Sequence, residues 1–169
     1  LIKESDRAIA RKFDVEYFDG DRLTGYGGYS YNPKFWTETV RYIVDYYGLD
    51  KSSKILDIGC AKGFMMHDLS LLLPEAEIIG IDISAYAKEN SIDSMRDKIH
   101  IGSANNLPFE DNSFDLVIDI NTLHNLPLID CKQAFKEINR VSRKNSFVMN
   151  DAWSCLLYTS DAADEERGG

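Results

Sequence analysis

Cysteine is scarce in this chain of 169 residues: Cys60, Cys131 and Cys155 are all it has. That is too few and too scattered for a disulfide framework or a thiolate metal cluster, so a reducing, cytoplasmic setting without a bound metal is expected. Long apolar runs are missing too. Stretches such as Leu69 to Leu73 fall far short of the ~20 residues that span a bilayer, which excludes a transmembrane helix and a membrane partner of that kind. The opening residues, Leu1 to Arg7, carry neither an apolar segment nor a small-residue cleavage site, so no secretory signal is visible, and the lack of an initiator Met reads as a fragment. Basic charge is the third shortage. Nineteen Lys and Arg against 28 Asp and Glu leave a net charge of -9 and a pI near 4.8, with no compensating basic patch, which argues against a nucleic-acid partner. What is present, 44% hydrophobic and 28% charged residues, is the balance of one ordinary globular domain.

The stretch from Cys155 to Glu165 resembles the translation of a transposase adapter used in DNA library preparation. On that reading residues 155–169 are not native and the homologous chain ends near Ser154; the alternative is an acidic disordered tail. The chain without it keeps 18 basic and 24 acidic side chains and stays acidic.

Residues 1–31 mix charges with Tyr17, Phe18, Tyr26, Tyr29 and Tyr31, and the Gly25-Tyr26-Gly27-Gly28-Tyr29 run is too glycine-rich for a helix or strand, so a loop bearing aromatics is expected. Those aromatics either fold over a ligand as a lid or simply cover a sheet edge. Asn32 before Pro33 gives a cap and a first helical residue, and apolar positions recur at helical spacing up to Gly48, which predicts a helix over 33–47. Phe13, Phe35 and Trp36 read as core. Beyond it, short apolar runs alternate with helical stretches: strands over 54–58, 77–81, 99–101, 114–120 and 146–149, helices over 64–73, 85–95 and 131–141. The strands are apolar on both faces, as parallel strands covered by helices must be, so a doubly wound α/β sheet follows.

The first of these strands runs into Asp57-Ile58-Gly59-Cys60-Ala61-Lys62-Gly63, a glycine turn opening a helix. A dinucleotide fingerprint wants glycines at its first, third and sixth places, whereas this turn has Gly59, Ala61 and Phe64; a phosphate loop wants a Lys after its glycine, and Lys62 precedes Gly63. The turn resembles instead the acid-x-Gly-x-Gly-x-Gly motif of class I S-adenosylmethionine-dependent methyltransferases of the small-molecule type, with Ala61 as its one departure. An acid on the turn suits a ligand carrying an ammonium and a sulfonium and no pyrophosphate.

The resemblance implies a Rossmann-like methyltransferase sheet, mostly parallel and truncated after strand five, occupying residues 32–154 behind a cap segment at 1–31. It implies S-adenosyl-L-methionine as cofactor and places Asp82, at the end of the second strand, on its ribose, where strand, turn and spacing favour that role over the alternative of capping the next helix. The other contacts it implies are Asp57, Gly59, Cys60, Ala61 and Gly63 in the turn, Ile83 after Asp82, Ser103 and Ala104 in the adenine loop, and Asn121 after strand four. Ser103 stands where many relatives carry an acid.

The implied activity is methyl transfer to a small-molecule acceptor by in-line displacement, needing alignment and, for some acceptors, a base. His124 and Asp119 are the candidates for acid-base work, with Asp151 a third near a strand end. For each a packing role competes: His124 against its own helix, Asp119 as a polar floor, Asp151 as a cap. A non-catalytic cofactor-binding domain of the same fold, and more remotely an NAD-dependent oxidoreductase, are the alternatives.

Overall fold

The computed structural model describes residues 3–150; Asp151 and the segment 155–169 lie outside them. The helix predicted over 33–47 forms as α3 (Pro33–Tyr47), with Asn32 accepting a hydrogen bond from the Lys34 amide at 3.1 Å and Gly48 closing it. Five strands follow: β1 (Lys54–Ile58), β2 (Glu77–Asp82), β3 (Ile99–Ile101), β4 (Phe114–Ile120) and β5 (Ser142–Met149). They make one sheet in the order β3-β2-β1-β4-β5, and every pairing is parallel. The helices between them are α4 (Phe64–Leu72), α5 (Ala85–Glu89) and α6 (Leu128–Val141).

Alternation along the strands sends successive side chains to opposite faces. On one face Ile55, Ile78, Leu116 and Ile118 pack against Val40 and Ile43 of α3 and Met66 and Leu69 of α4. On the other, Leu56, Ile58 and Val117 pack against Ala134, Ile138 and Val141 of α6. Burial on both sides is what the apolar strands required. The chain winds outward from β1 to β3 and then returns to β4 on the other side of β1. The carboxyl ends of β1 and β4 therefore diverge into a crevice, the usual ligand position in such sheets.

Several sequence expectations need correction. The segment 1–31 is not all loop: it contains α1 (Glu4–Ala10) and α2 (Val15–Phe18), the latter capped by Asp14. The helix expected to reach Met95 stops at Glu89, because the chain turns back and the Ile92 amide bonds the Lys62 carbonyl at 3.0 Å. Helix α6 begins at Leu128, ahead of Cys131, directly after Pro127. Strand β5 starts at Ser142, four residues earlier than the apolar pattern suggested, because pairing with β4 rather than burial defines it. Phe35 is not core; it is 70% exposed, and Trp36 takes the inward side of α3.

Candidate functional site

Parallel register brings Ile58, Ile81 and Asp119 to one level, so the chain leaves β1, β2 and β4 at a common edge. There the glycine turn folds onto the end of β2. The amides of Gly59 and Cys60 bond the Ile81 carbonyl at 2.8 and 3.3 Å, and the Ala61 amide donates to Asp82 Oδ2 at 2.7 Å. Asp82 Oδ1 accepts from the Ser84 amide at 2.8 Å, while Ser84 itself caps α5 through the Ala87 amide. Asp82 thus braces the turn and the start of α5, and the cap proper is Ser84. Each carboxylate oxygen still has a second acceptor site.

Gly59 and Ala61 both have left-handed backbones, φ +69° and +50°. At Gly59 a side chain is also barred by contact, because Thr122 packs against it. Asn121, at φ +57°, turns the chain out of β4 and bonds the Met149 carbonyl at 2.7 Å.

Three adjoining cavities open at this edge. The first, about 110 Å³, is lined by Gly59, Ala61, Asp82, Ile83, Ser103, Ala104 and Asn121 below and by Phe13, Tyr17, Phe18 and Tyr26 above. The second, about 520 Å³, has Asp57, Gly59, Cys60, Ala61 and Asn121 on one side and Tyr26, Tyr29, Phe35, Trp36 and Arg22 on the other. The third, about 350 Å³, lies between His124, Asn121, Tyr17, Tyr26, Gly25 and Arg22. Of the residues expected to contact a cofactor, only Gly63 lines none of the three; it sits at the N-terminus of α4.

The acids of this edge are poorly compensated. Burial, with Asp119 and Asp82 nearby, pushes the Asp57 carboxyl well above the usual range. Burial raises Asp82 despite the amides of Ser84, Ala61 and Ile83. It raises Asp119 to about 7, and neither Asp119 oxygen has a hydrogen-bond partner in good geometry. Asp119 is fully buried and lines none of the cavities, so it stands beneath the site rather than in it. Burial and the same acids also push the Cys60 thiol up, which disfavours a reactive thiolate. His124 lies in a short turn after β4, its Nδ1 buried and unpartnered.

Sequence reasoning missed what holds the aromatic cover down. Lys62, in the middle of the glycine turn and only 6% exposed, reaches Asp19 at 2.6 and 2.9 Å and the Tyr29 carbonyl at 2.9 Å. Burial alone would raise Asp19, but bonds from Lys62, the Tyr29 amide and Tyr86 bring it to about 2. The cover is bound to the turn by an ion pair whose lysine end is buried and whose aspartate end is about a third exposed. A lysine at the centre of a ligand-binding turn, with no phosphate to bind, was the available signal.

A family model described as "Methyltransferase domain" matches residues 49–166. Among curated proteins, the malonyl-[acyl-carrier protein] O-methyltransferase of Legionella pneumophila is 33% identical over 115 residues, 66% of this chain and 37% of that one. The demethylmenaquinone methyltransferase of Staphylococcus aureus is 38% identical over 107 residues, 60% and 44% of the two chains. The chain therefore spans less than half the length of either relative. A solved structure from Methanococcus maripaludis, assigned as an S-adenosyl-L-methionine-dependent methyltransferase, superposes with a TM-score of 0.61 at 22% identity, covering 79% of this chain and 64% of that one.

Proposed function

Because this chain belongs to the methyltransferase domain family, we propose that it moves a methyl group from S-adenosyl-L-methionine to a small-molecule acceptor. The observation that carries the reading is the acidic edge: Asp57 and Asp82, both buried and in no ion pair among the described residues, line adjoining cavities at the carboxyl ends of β1 and β2, with Asp119 buried beneath them, and burial holds their carboxyls above the ordinary range. Among the described residues no three His, Cys, Asp or Glu side chains form a group that could hold a metal ion. An organic cation suits Asp57 and Asp82 at the cavity walls, and S-adenosylmethionine brings a sulfonium-activated methyl group and an ammonium.

The chain's own residues divide the work. Asp82, braced by two amides, offers its remaining acceptor sites to ribose hydroxyls. Ile83, 59% exposed at the cavity wall, and Ala104 give adenine apolar contact, with Ser103 as the polar neighbour. Asp57 faces the second cavity and suits an ammonium. Gly59 and Ala61 keep the turn low and Asn121 closes the far side. The first cavity is smaller than the roughly 300–1,000 Å³ of ordinary ligand sites, so seating a nucleoside there requires Phe13, Tyr17 and their neighbours to shift outward. Closed again, these rings exclude water from the reacting atoms. His124, which lines the third cavity, serves in this reading as the base that takes a proton from an acceptor.

Isothermal titration calorimetry with S-adenosylmethionine and S-adenosylhomocysteine tests the reading. Both ligands bind the wild-type chain, and Asp82→Asn weakens both about tenfold or more, as loss of charge-assisted bonds to a ligand would. No heat from either ligand with a folded protein defeats the proposal. Binding without transfer to any acceptor in a broad panel would favour a cofactor-binding domain that does no chemistry.

A further inference from the structure

The geometry points to Arg22 as an anchor for a carboxylate of the bound ligand, held where the second and third cavities meet; the inference rests on the methyl-transfer reading of this cleft. Arg22 is the one lysine or arginine among the residues lining the three cavities. Its guanidinium donates a single hydrogen bond, from Nη1 to the Tyr26 carbonyl at 2.5 Å, and it joins no ion pair among the described residues. A guanidinium has five N–H donors in a fixed fork, so four are free, enough for a two-point grip on a carboxylate.

The chain positions this side chain. Gly27, at φ +69°, lies against the Arg22 stem, and a Cβ there would stand 3.1 Å from Cδ and 3.2 Å from Cβ of the arginine. The glycine-rich run is thus a seat for the arginine as well as a bend. Lys62 shows the contrast: it sits nearer the turn, but its charge is committed to Asp19. In a chain of net charge -9, an unpaired guanidinium in a cleft whose other charged lining groups are Asp57 and Asp82 is a local device for an anion. Asp57 and Arg22 line the same cavity, an arrangement suited to an amino-acid zwitterion, while Tyr29 and Trp36 suit a flat acceptor bearing its own carboxylate. Both sources offer the same group to the same fork.

Calorimetry on wild type, Arg22→Gln and Arg22→Lys separates them. The probes are S-adenosylhomocysteine, 5′-methylthioadenosine, which lacks the amino-acid tail, and benzoate against its neutral counterpart benzamide. If the donor's tail supplies the carboxylate, Arg22→Gln weakens S-adenosylhomocysteine at least tenfold, about 1.4 kcal/mol, leaves methylthioadenosine unchanged, and Arg22→Lys restores part of the loss. If the acceptor supplies it, S-adenosylhomocysteine is unaffected, benzoate but not benzamide binds the loaded protein, and Arg22→Gln abolishes that binding. Affinities for S-adenosylhomocysteine and benzoate that do not change in Arg22→Gln overturn the anchor. Should the folded wild type bind neither adenosine ligand, the methyl-transfer reading fails instead, and benzoate titrated into the ligand-free protein still reads Arg22: binding lost in Arg22→Gln supports the anchor, and no Arg22-dependent binding overturns it.

Discussion

At Gly59 a Cβ would lie 1.9 Å from Thr122 Oγ1 and 2.7 Å from Thr122 Cβ, on a backbone already at φ +69°. Left-handed backbone costs an L-residue about 1–2 kcal/mol, and overpacking about 1–3 more. Gly59→Ala is therefore expected to lower stability by about 2–5 kcal/mol in urea unfolding and to weaken cofactor binding with it. Ala61, two residues on, already carries the left-handed cost at φ +50°. Ala61→Gly relieves it while loosening the unfolded chain, so its stability should stay within about 1 kcal/mol of wild type, on the stable side. A loss beyond that would mean the Ala61 methyl is packing the site rather than being tolerated in it. Both positions were legible as a turn because spacing after a buried strand is local information. The partner that forbids a side chain at Gly59 was not, since Thr122 is far away in sequence and arrives only when β4 pairs with β1.

The aromatic segment before α3 is an element of the site although little of it is regular structure. Tyr26 lines all three cavities, Phe18 is 2% exposed, and the Lys62–Asp19 pair fixes the whole to the glycine turn. Lys62→Met leaves Asp19 without its cation. Because Asp19 is about a third exposed, the cost should be about 1–2 kcal/mol, below that of a fully buried pair. The informative readout is local: limited trypsin digestion should cut at Arg11, Lys12 and Arg22 faster in Lys62→Met, with saturating S-adenosylhomocysteine restoring part of the protection. Unchanged cutting would show that ring packing alone holds the cover. Elements with their own periodicity, α3 and the strands β1, β2 and β4, were readable from the sequence. Those defined by distant partners were not: α5 ends where Lys62 captures the Ile92 amide, and β5 extends back to Ser142 by pairing with β4. All but Gly63 of the residues expected to contact a cofactor line the adjoining cavities, and Tyr26 was read as part of a lid or a sheet-edge cover, yet Arg22 escaped notice because nothing local marks which side of a glycine-rich strap faces a cleft.

Across the molecule, the acids among the described residues whose titration is most clearly displaced fall into two groups with opposite pH behaviour. Three carboxylates paired with cations outside the cleft are depressed: Asp115 is held well below the usual range by Arg143, with the Lys54 amide and Lys144 adding to it, Glu137 is lowered by Arg140, and Asp19 stands at about 2. Their stabilisation is present above the ordinary carboxylate pKa and is lost as pH falls through their folded values. In the cleft the sign reverses. Asp57, Asp82 and Asp119 are raised, so their contribution is complete below the ordinary carboxylate pKa, near 4, and drains away as pH rises toward about 7 for Asp119. Stability without ligand should therefore peak on the acid side of the usual pH 5–8 window and decline toward neutrality. Asp119→Asn isolates one contributor: its stability relative to wild type should match near pH 4, gain on the order of 4 kcal/mol between pH 4 and 7, and hold that difference above. A cation in the cleft must counter this decline, because it favours the ionised acids. Saturating S-adenosylmethionine should raise the unfolding temperature more at pH 8 than at pH 5, whereas S-adenosylhomocysteine, without the sulfonium charge, should show a smaller rise with pH. Equal shifts for the two ligands at both pH values would mean that the acids of this edge do not sense the sulfonium, and would separate the acidic cleft from the methyl donor.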